Sequence, residues 1–384
     1  MDTRTQGVDE GRLERVLGQV VTDMGAAMNG VLMLVGGELG LWRAMAGAGP
    51  LTAADLARRS GVRERYVQEW LAGQAASGYV QYDPAAETFT LLPEEAMAFA
   101  DEDSPVYVLG GYHVVSAAYK DWSKLAERLR GGEGLGWHEH DPELFEGTER
   151  FFRPGYRAHL VAEWIPALEE VEGKLHRGAL VADVGCGHGV STVLMARAFP
   201  GSTIRGFDYH PESIARATEL ARAEGVDANA AFAVASAKDF PGRGYDLVCF
   251  FDCLHDMGDP VGALRHVREA LAEDGTVMLV EPFAADSLSA NLNPVGRIYY
   301  AASTVICLPL PLSKRSSHAA PLTGLPSRAS RFLAACPGSP GLTAALRFTK
   351  APTEPTGGAP TKLALWGAPG ERYLARLIAA LSSR

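Results

Sequence analysis

The chain has 384 residues, 47% hydrophobic and 21% charged, with a net charge of −10. That composition excludes a disordered or fibrous protein, and the length allows two or three domains with sizeable cores. An acidic balance argues against a nucleic-acid binder, which needs basic residues to displace counterions from phosphates.

The charge is uneven. After Asp286 only Glu354 and Glu371 are acidic while eleven residues are Lys or Arg, a net of +9; the first 286 residues carry −19. The five cysteines (Cys186, Cys249, Cys253, Cys307, Cys336) form no CxxC pair. This excludes a disulfide scaffold or zinc ribbon and fits a reducing cytoplasm. The first sixteen residues hold no apolar run of the kind a secretory signal needs. The stretch 26–42 contains Asn29, Glu38 and several glycines, too short and interrupted for a membrane span. A soluble, cytoplasmic protein without a membrane partner is expected.

Residues 12–46 read as helical, with Leu13, Val16, Leu17, Val20, Val21 and Met24 at three- and four-residue spacing. Its second half, 26–45, is apolar on several faces, which predicts burial in a core or against another subunit. Thr52 caps a short helix over 53–59, with Asp55 completing a near capping box. A second helix covers 63–76, and β-prone runs at 79–82 and 88–91 flank Asp83-Pro84 as a hairpin. Helix, turn, helix, hairpin is the winged-helix arrangement. Arg63 and Arg65 open the second helix, where a DNA reader would meet base edges. Glu64, Gln68 and Glu69 share that helix, and residues 1–95 hold thirteen acids against eight bases. A structural or dimerising role therefore outweighs DNA binding.

Residues 94–175 read as connecting helices. Within them, 131–155 is rich in glycine, aromatic and charged residues, the composition of a loop that closes over a site. His138, Glu139, His140 and Asp141 are adjacent, so an extended chain scatters them, and no metal is expected.

From residue 179 the pattern becomes strand–helix alternation: strands at 179–184, 202–207, 231–235, 245–251 and 276–280, helices at 191–198, 211–224 and 260–272. Such βαβ units predict an α/β fold, a mainly parallel sheet covered on both faces with its ligand crevice at the strands' carboxyl ends. Gly185, Gly187 and Gly189 follow the first of these strands. The dinucleotide form of such a loop has its third glycine where this chain has Val190. Asp183, two residues before the loop, would repel a pyrophosphate and suits a cationic ligand bearing an amino group. Asp208, ending the next strand, is placed to accept both hydroxyls of a ribose.

VADVGCGHG, GFDYH, YDLVCFFDCLHDMGDP and GTVMLVEPF, in that order, make residues 179–282 resemble the class I S-adenosylmethionine-dependent methyltransferases. The whole of 12–308 is similar to a bacterial group that joins an N-terminal winged helix to this Rossmann-like fold, in the manner of small-molecule O-methyltransferases. The resemblance implies S-adenosylmethionine as cofactor and a winged helix that dimerises rather than reads DNA. It implies that Gly185, Cys186 and Gly187 line the methionine end near Asp183, with Gly189 closing the loop. Asp208 would hold the ribose, Tyr209 would lie against the adenine, and Asp252 would sit near the sulfonium. Where the family often has an acid for the adenine amino group, this chain has Ala235-Ser236-Ala237, so Ser236 and Ala237 take that place.

His255 falls at the general base of winged-helix O-methyltransferases, with Asp256 beside it. A base helps because a neutral hydroxyl is a poor nucleophile, and histidine titrates near neutrality. The alternative is a histidine that only shapes the pocket. Phe151, Phe152 and Tyr156 are candidates for contact with sulfonium or adenine, Trp137 and His138 for the acceptor side, and Tyr299 or Tyr300 for the pocket wall.

The expected organisation is a winged-helix domain over 1–100, connecting helices and lid over 101–175, a methyltransferase domain over 176–308 and an atypical tail over 309–384. The tail is Pro-rich and basic, with candidate strands at 346–349 and 362–366. Two readings stand for it: a divergent, partly disordered segment, or a change of reading frame near residue 308 that leaves the sheet edge bare. The function expected is methyl transfer to a small molecule at oxygen. The alternatives are a winged-helix regulator with a ligand-sensing methyltransferase-like domain, and a protein that binds the cofactor without catalysis.

Overall fold

The structure, a computed structural model, describes residues 7–168, 170–282 and 287–308, together with the strands Thr343–Arg347 and Leu363–Leu365. The chain divides into two units, Met1–Ser116 and Ala117–Arg384.

In the first unit, Asp9 caps helix α1, Glu10–Glu38, by accepting from the Arg12 amide. The single helix expected over 12–46 is two: α1 stops before Leu39, Gly40 turns left-handed at φ 66°, and α2 runs Leu41–Met45. One face of α1 is buried. Asn29 exchanges amide hydrogen bonds with Gln74, and Trp70 Nε1 donates to the Leu32 carbonyl at 2.9 Å. Within the single chain the other faces are open: Met28 is 72% exposed, with Val21, Met24 and Val31 also exposed, so of the two expected forms of burial the chain's own core supplies only one face. α1 also holds an 18-residue window long and apolar enough to cross a membrane, a property the stretch 26–42 taken alone did not reveal.

The expected capping box forms at the start of α3, Ala53–Ser60, where Thr52 and Asp55 satisfy each other's backbone amides. α4, Glu64–Ala76, turns Val67, Trp70 and Leu71 inward. Strands β1, Gln81–Asp83, and β2, Thr88–Thr90, pair antiparallel, and α5 follows at Pro93–Phe99. On α4 the exposed Arg65 is paired with Glu69.

α6, Leu109–Gly131, leads toward the segment read as a lid. That segment is not a loop throughout, because α7 forms at Glu143–Gly155. A wide-turn helix, Tyr156–Trp164, continues it, followed by α8, Val171–Arg177. Pro154 lies inside α7, and the helix widens just after it, which accommodates a residue without an N–H.

All five expected parallel strands are present: β3 Leu180–Val184, β4 Thr203–Asp208, β5 Ala230–Val234, β6 Tyr245–Phe251 and β7 Leu271–Val280. Helices α9 Val190–Ala198, α10 Pro211–Ala223 and α11 Pro260–Ala270 connect them. β8, Thr343–Arg347, and β9, Leu363–Leu365, close the order β5-β4-β3-β6-β7-β8-β9, with β8 antiparallel to β7. The backbone of β8 therefore pairs along the edge of β7, and β8 and β9 overlap the candidate strands at 346–349 and 362–366. The remainder of the tail, with the question of its reading frame, lies outside the described residues.

The sheet is apolar on both sides. Along β3 and β6, Val181, Cys249 and Phe251 join one buried cluster, while Ala182, Val184, Val248 and Phe250 join the other. Strands buried on both faces read as unbroken apolar runs, which is why they were visible in the sequence. After Pro294–Ala302, helix α12, a second wide-turn helix runs Ser303–Cys307.

Candidate active site

Five parallel strands end on one side of the sheet, and four of them deliver an acid there. β3 ends beside Asp183 and the glycine loop, β4 at Asp208, and β6 before Asp252; β7 ends before Glu281.

The loop after β3 turns at Gly185, φ 79°, where a Cβ would come within 2.7 Å of the Cys253 sulfur. At Gly189, φ 82°, a Cβ would meet Ala217 and Phe232 at 2.8 Å, so only glycine lets α9 start against α10 and β5. The Gly187 amide donates to Asp208 Oδ2 at 3.0 Å and the His210 amide to Oδ1 at 2.9 Å. Asp208 is thus fixed by backbone, and a carboxylate oxygen can accept more than one such bond.

Asp183 is buried, with the Ser191 and Thr192 hydroxyls both donating to its Oδ2 at 2.6 Å. Its Oδ1 is buried with no hydrogen-bond partner among the described residues. Desolvation raises its pKa to about 6, opposed by those two hydroxyls and reinforced by the charge of Asp208. Asp252 adopts φ 51° and accepts from the Tyr156 hydroxyl at 2.8 Å across 96 residues of sequence. Burial, then the charge of Glu281, pushes its pKa up to about 7. Cys186 is buried beside these acids, and its thiol is pushed up first by desolvation, then by Asp183 and Asp208. Burial raises the Tyr209 hydroxyl as well. The Ser236 hydroxyl accepts from the Lys238 amide at 3.2 Å in a tight turn after β5, next to Ala237.

His255 lies between two carboxylates. Its Nδ1 is 2.5 Å from Glu281 Oε2 and its Nε2 is 3.0 Å from Asp256 Oδ1. Desolvation opposes the charged imidazole, but Asp256 and Glu281 outweigh it and hold the pKa well above its ordinary value. Glu281 also accepts from the Leu254 amide at 2.8 Å. Sequence reasoning passed over Glu281, although it follows β7 as Asp252 follows β6, and an acid at a strand's carboxyl end is the signal that would have found it.

The aromatic candidates divide. Tyr156 reaches Asp252, and Phe152 stacks on Tyr156 at 6.0 Å. Phe145, not singled out beforehand, stacks on His210 at 4.5 Å and meets Trp137 edge-on at 5.4 Å. Glu149 of α7 pairs with His188 of the glycine loop at 2.8 Å. The HEHD run separates as expected: His140 turns to Asp121 at 2.9 Å, Asp141 to Lys120 at 3.1 Å, and Glu139 to Arg128 at 3.1 Å.

A glycine loop and converging acids at the carboxyl edge of a parallel sheet define an α/β domain of the methyltransferase type, preceded by a winged helix. Residues 175–308 match the family model described as a methyltransferase domain, and residues 27–100 match that of an Rv2258c-like winged HTH domain. Residues 175–308 are thus similar to methyltransferase domains, and residues 27–100 to winged-helix domains. The trans-aconitate 2-methyltransferase of Streptomyces avermitilis is 33% identical over 115 residues, 30% of this chain and 43% of the relative. The match thus spans less than half the length of that relative. The mitomycin 7-O-methyltransferase MmcR superposes with TM-score 0.58 at 20% identity, covering 80% of this chain and 90% of that one. Human N-acetylserotonin methyltransferase, solved in complex with SAM, superposes with TM-score 0.54 at 17% identity, covering 80% and 88%. At these identities the two structures establish the fold.

Proposed function

We propose that this chain is an S-adenosylmethionine-dependent methyltransferase acting on a small molecule, with oxygen as the acceptor atom. The observation that carries the reading is the buried acidic edge. Asp183, Asp208, Asp252 and Glu281 converge there, and burial, reinforced by repulsion between them, raises Asp183 and Asp252. A ligand with a sulfonium and an ammonium relieves that repulsion, and the unpartnered Asp183 Oδ1 is an acceptor awaiting a donor. When bound, the cofactor supplies a methyl group on a cationic sulfur, open to in-line displacement.

The chain's own residues do the rest. Gly185, Cys186 and Gly187, with Asp183, take the amino-acid end; Gly189 keeps the loop closed. Asp208 takes the ribose hydroxyls, Tyr209 packs on the base, and Ser236 with Ala237 borders its edge. Asp252, steadied by Tyr156, lies toward the cationic centre. His255 accepts the acceptor's proton at Nε2, while Glu281 on Nδ1 fixes the ring and the tautomer. In this structure Asp256 faces Nε2 and, with Glu281, favours the protonated ring, so the acceptor hydroxyl must displace Asp256 and the ring must release its Nε2 proton before it can act as a base. Alignment of acceptor and methyl group supplies much of the remaining rate.

A homodimer in the cytoplasm completes the reading. The exposed apolar flank of α1 suits a second copy of the chain, and the described cysteines are free thiols, as in a reducing compartment. With α4's arginine paired and the first domain acidic, nucleic acid is not the partner we assign. Calorimetry with S-adenosylmethionine tests the core of the proposal: the wild type binds and Asp208→Ala binds at least tenfold more weakly. A wild type that does not bind would refute it.

A further inference from the structure

The wide-turn helix Ser303–Cys307 brings a thiol to His255 that the mechanism above does not use. One donor atom each from His255, Asp256 and Cys307 lies within 4.8 Å of the others. Asp256 Oδ1 is buried and pairs with His255 Nε2 at 3.0 Å, so a cation placed between them would meet both atoms. On the far side of the ring, Glu281 holds Nδ1 at 2.5 Å. A carboxylate on one imidazole nitrogen orients the other toward a metal and raises its basicity as a ligand.

We propose that His255, Asp256 and Cys307 form a site for a thiophilic divalent cation of the zinc class, with Glu281 as the carboxylate behind the histidine. One nitrogen, one oxygen and one sulfur suit a tetrahedral ion at about 2.0–2.3 Å, the fourth position remaining for water. Closing the site requires the sulfur to approach by a side-chain rotation. The ion takes the place of the proton on Nε2 and of the thiol proton, and both protons leave to solvent. Because it occupies the nitrogen that accepts the acceptor's proton, it blocks methyl transfer; this consequence rests on the function proposed above, whereas the binding does not.

The test uses the full-length, reduced protein and cobalt(II) alone as probe. Wild type is expected to take up one equivalent with a thiolate-to-cobalt absorption band, retained in Cys253→Ser and Cys336→Ser and lost in Cys307→Ser. Glu281→Gln should keep the band and weaken binding about 10–100-fold. No band in wild type, or a band that survives Cys307→Ser, overturns the site. Should Cys307→Ser not fold, Asp256→Asn decides: cobalt affinity within threefold of wild type overturns the proposal, and a loss of tenfold or more upholds it. A cobalt band without zinc inhibition of methyl transfer would sink the role of His255 as base and leave the site standing.

Discussion

The two regions treat their apolar and charged surface in opposite ways. In the sheet, Leu247, Val248, Phe250 and Val277 are wholly buried, and the acids Asp183, Asp252 and Glu281 gather at the strand ends, where burial raises the first two and Asp183 Oδ1 lacks a hydrogen-bond partner among the described residues. In the winged-helix unit the ionic groups lie at the surface, as in the pair Arg65–Glu69 on α4, and what is unsatisfied is hydrocarbon, laid out along α1 from Leu13 to Val35. One region is incomplete electrostatically and calls for a cation; the other is incomplete in burial and calls for a protein surface. The contrast teaches that a chain advertises its partners by the kind of free energy it leaves unspent.

That contrast can be broken experimentally. The largest effect is expected from His255→Ala, which should lower turnover by roughly 10²–10⁴-fold, the usual worth of a positioned base. Affinity for the cofactor should stay within threefold by calorimetry, and unchanged turnover would remove His255 from the chemistry. Asp208→Ala should cost about 1.5–3 kcal/mol of cofactor binding, the range for hydrogen bonds to a charged group. Turnover at saturating cofactor should suffer less than with His255→Ala.

On the other region, Met24→Glu with Met28→Glu should shift the oligomer to monomer in sedimentation velocity. Each side chain is worth about 1.5–3 kcal/mol when buried. A wild type that sediments as a monomer would end the assignment of α1 to a second copy. Steep salt-dependent binding to duplex DNA would instead revive the regulator reading.

The smallest and most diagnostic effect concerns Asp252→Asn. The folded pKa of Asp252, about 7, stands above the usual carboxyl value, so its favourable contribution is complete below about pH 4. It is lost as pH rises toward 7. The asparagine variant does not titrate, and residues of its kind tolerate the positive φ found there. Thermal melting should show the variant gaining on wild type between pH 4 and 7, with the gain constant above pH 8. Equal pH dependence of the two proteins would mean that Asp252 is not held protonated by its surroundings.

The sheet was legible because β3 and β6 are unbroken apolar runs that end at Asp183 and before Asp252, where hydrophobicity stops abruptly. The capping box at Thr52 was equally plain, being a local exchange between residues three apart. α7 was hidden by Gly147, Pro154 and Gly155, which argue for a loop unless one knows that the helix widens after Pro154. The division of the first helix at Gly40 turned on a single left-handed residue within a continuous apolar pattern. Glu281 and Cys307 stand 26 and 52 positions from His255, and no periodicity relates them; only the order of strands and the turn after α12 bring them to one imidazole.

Helix α7 is tied to the strand-end loops by two imidazole contacts. Glu149 grips His188 after β3, and Phe145 lies flat on His210 after β4. The same loops hold the residues assigned to the cofactor. On the function proposed above, exchange of spent for fresh cofactor would require these two contacts, one hydrogen-bonded and one stacked, to open, and their opening rate would then cap turnover however fast the methyl group itself moves.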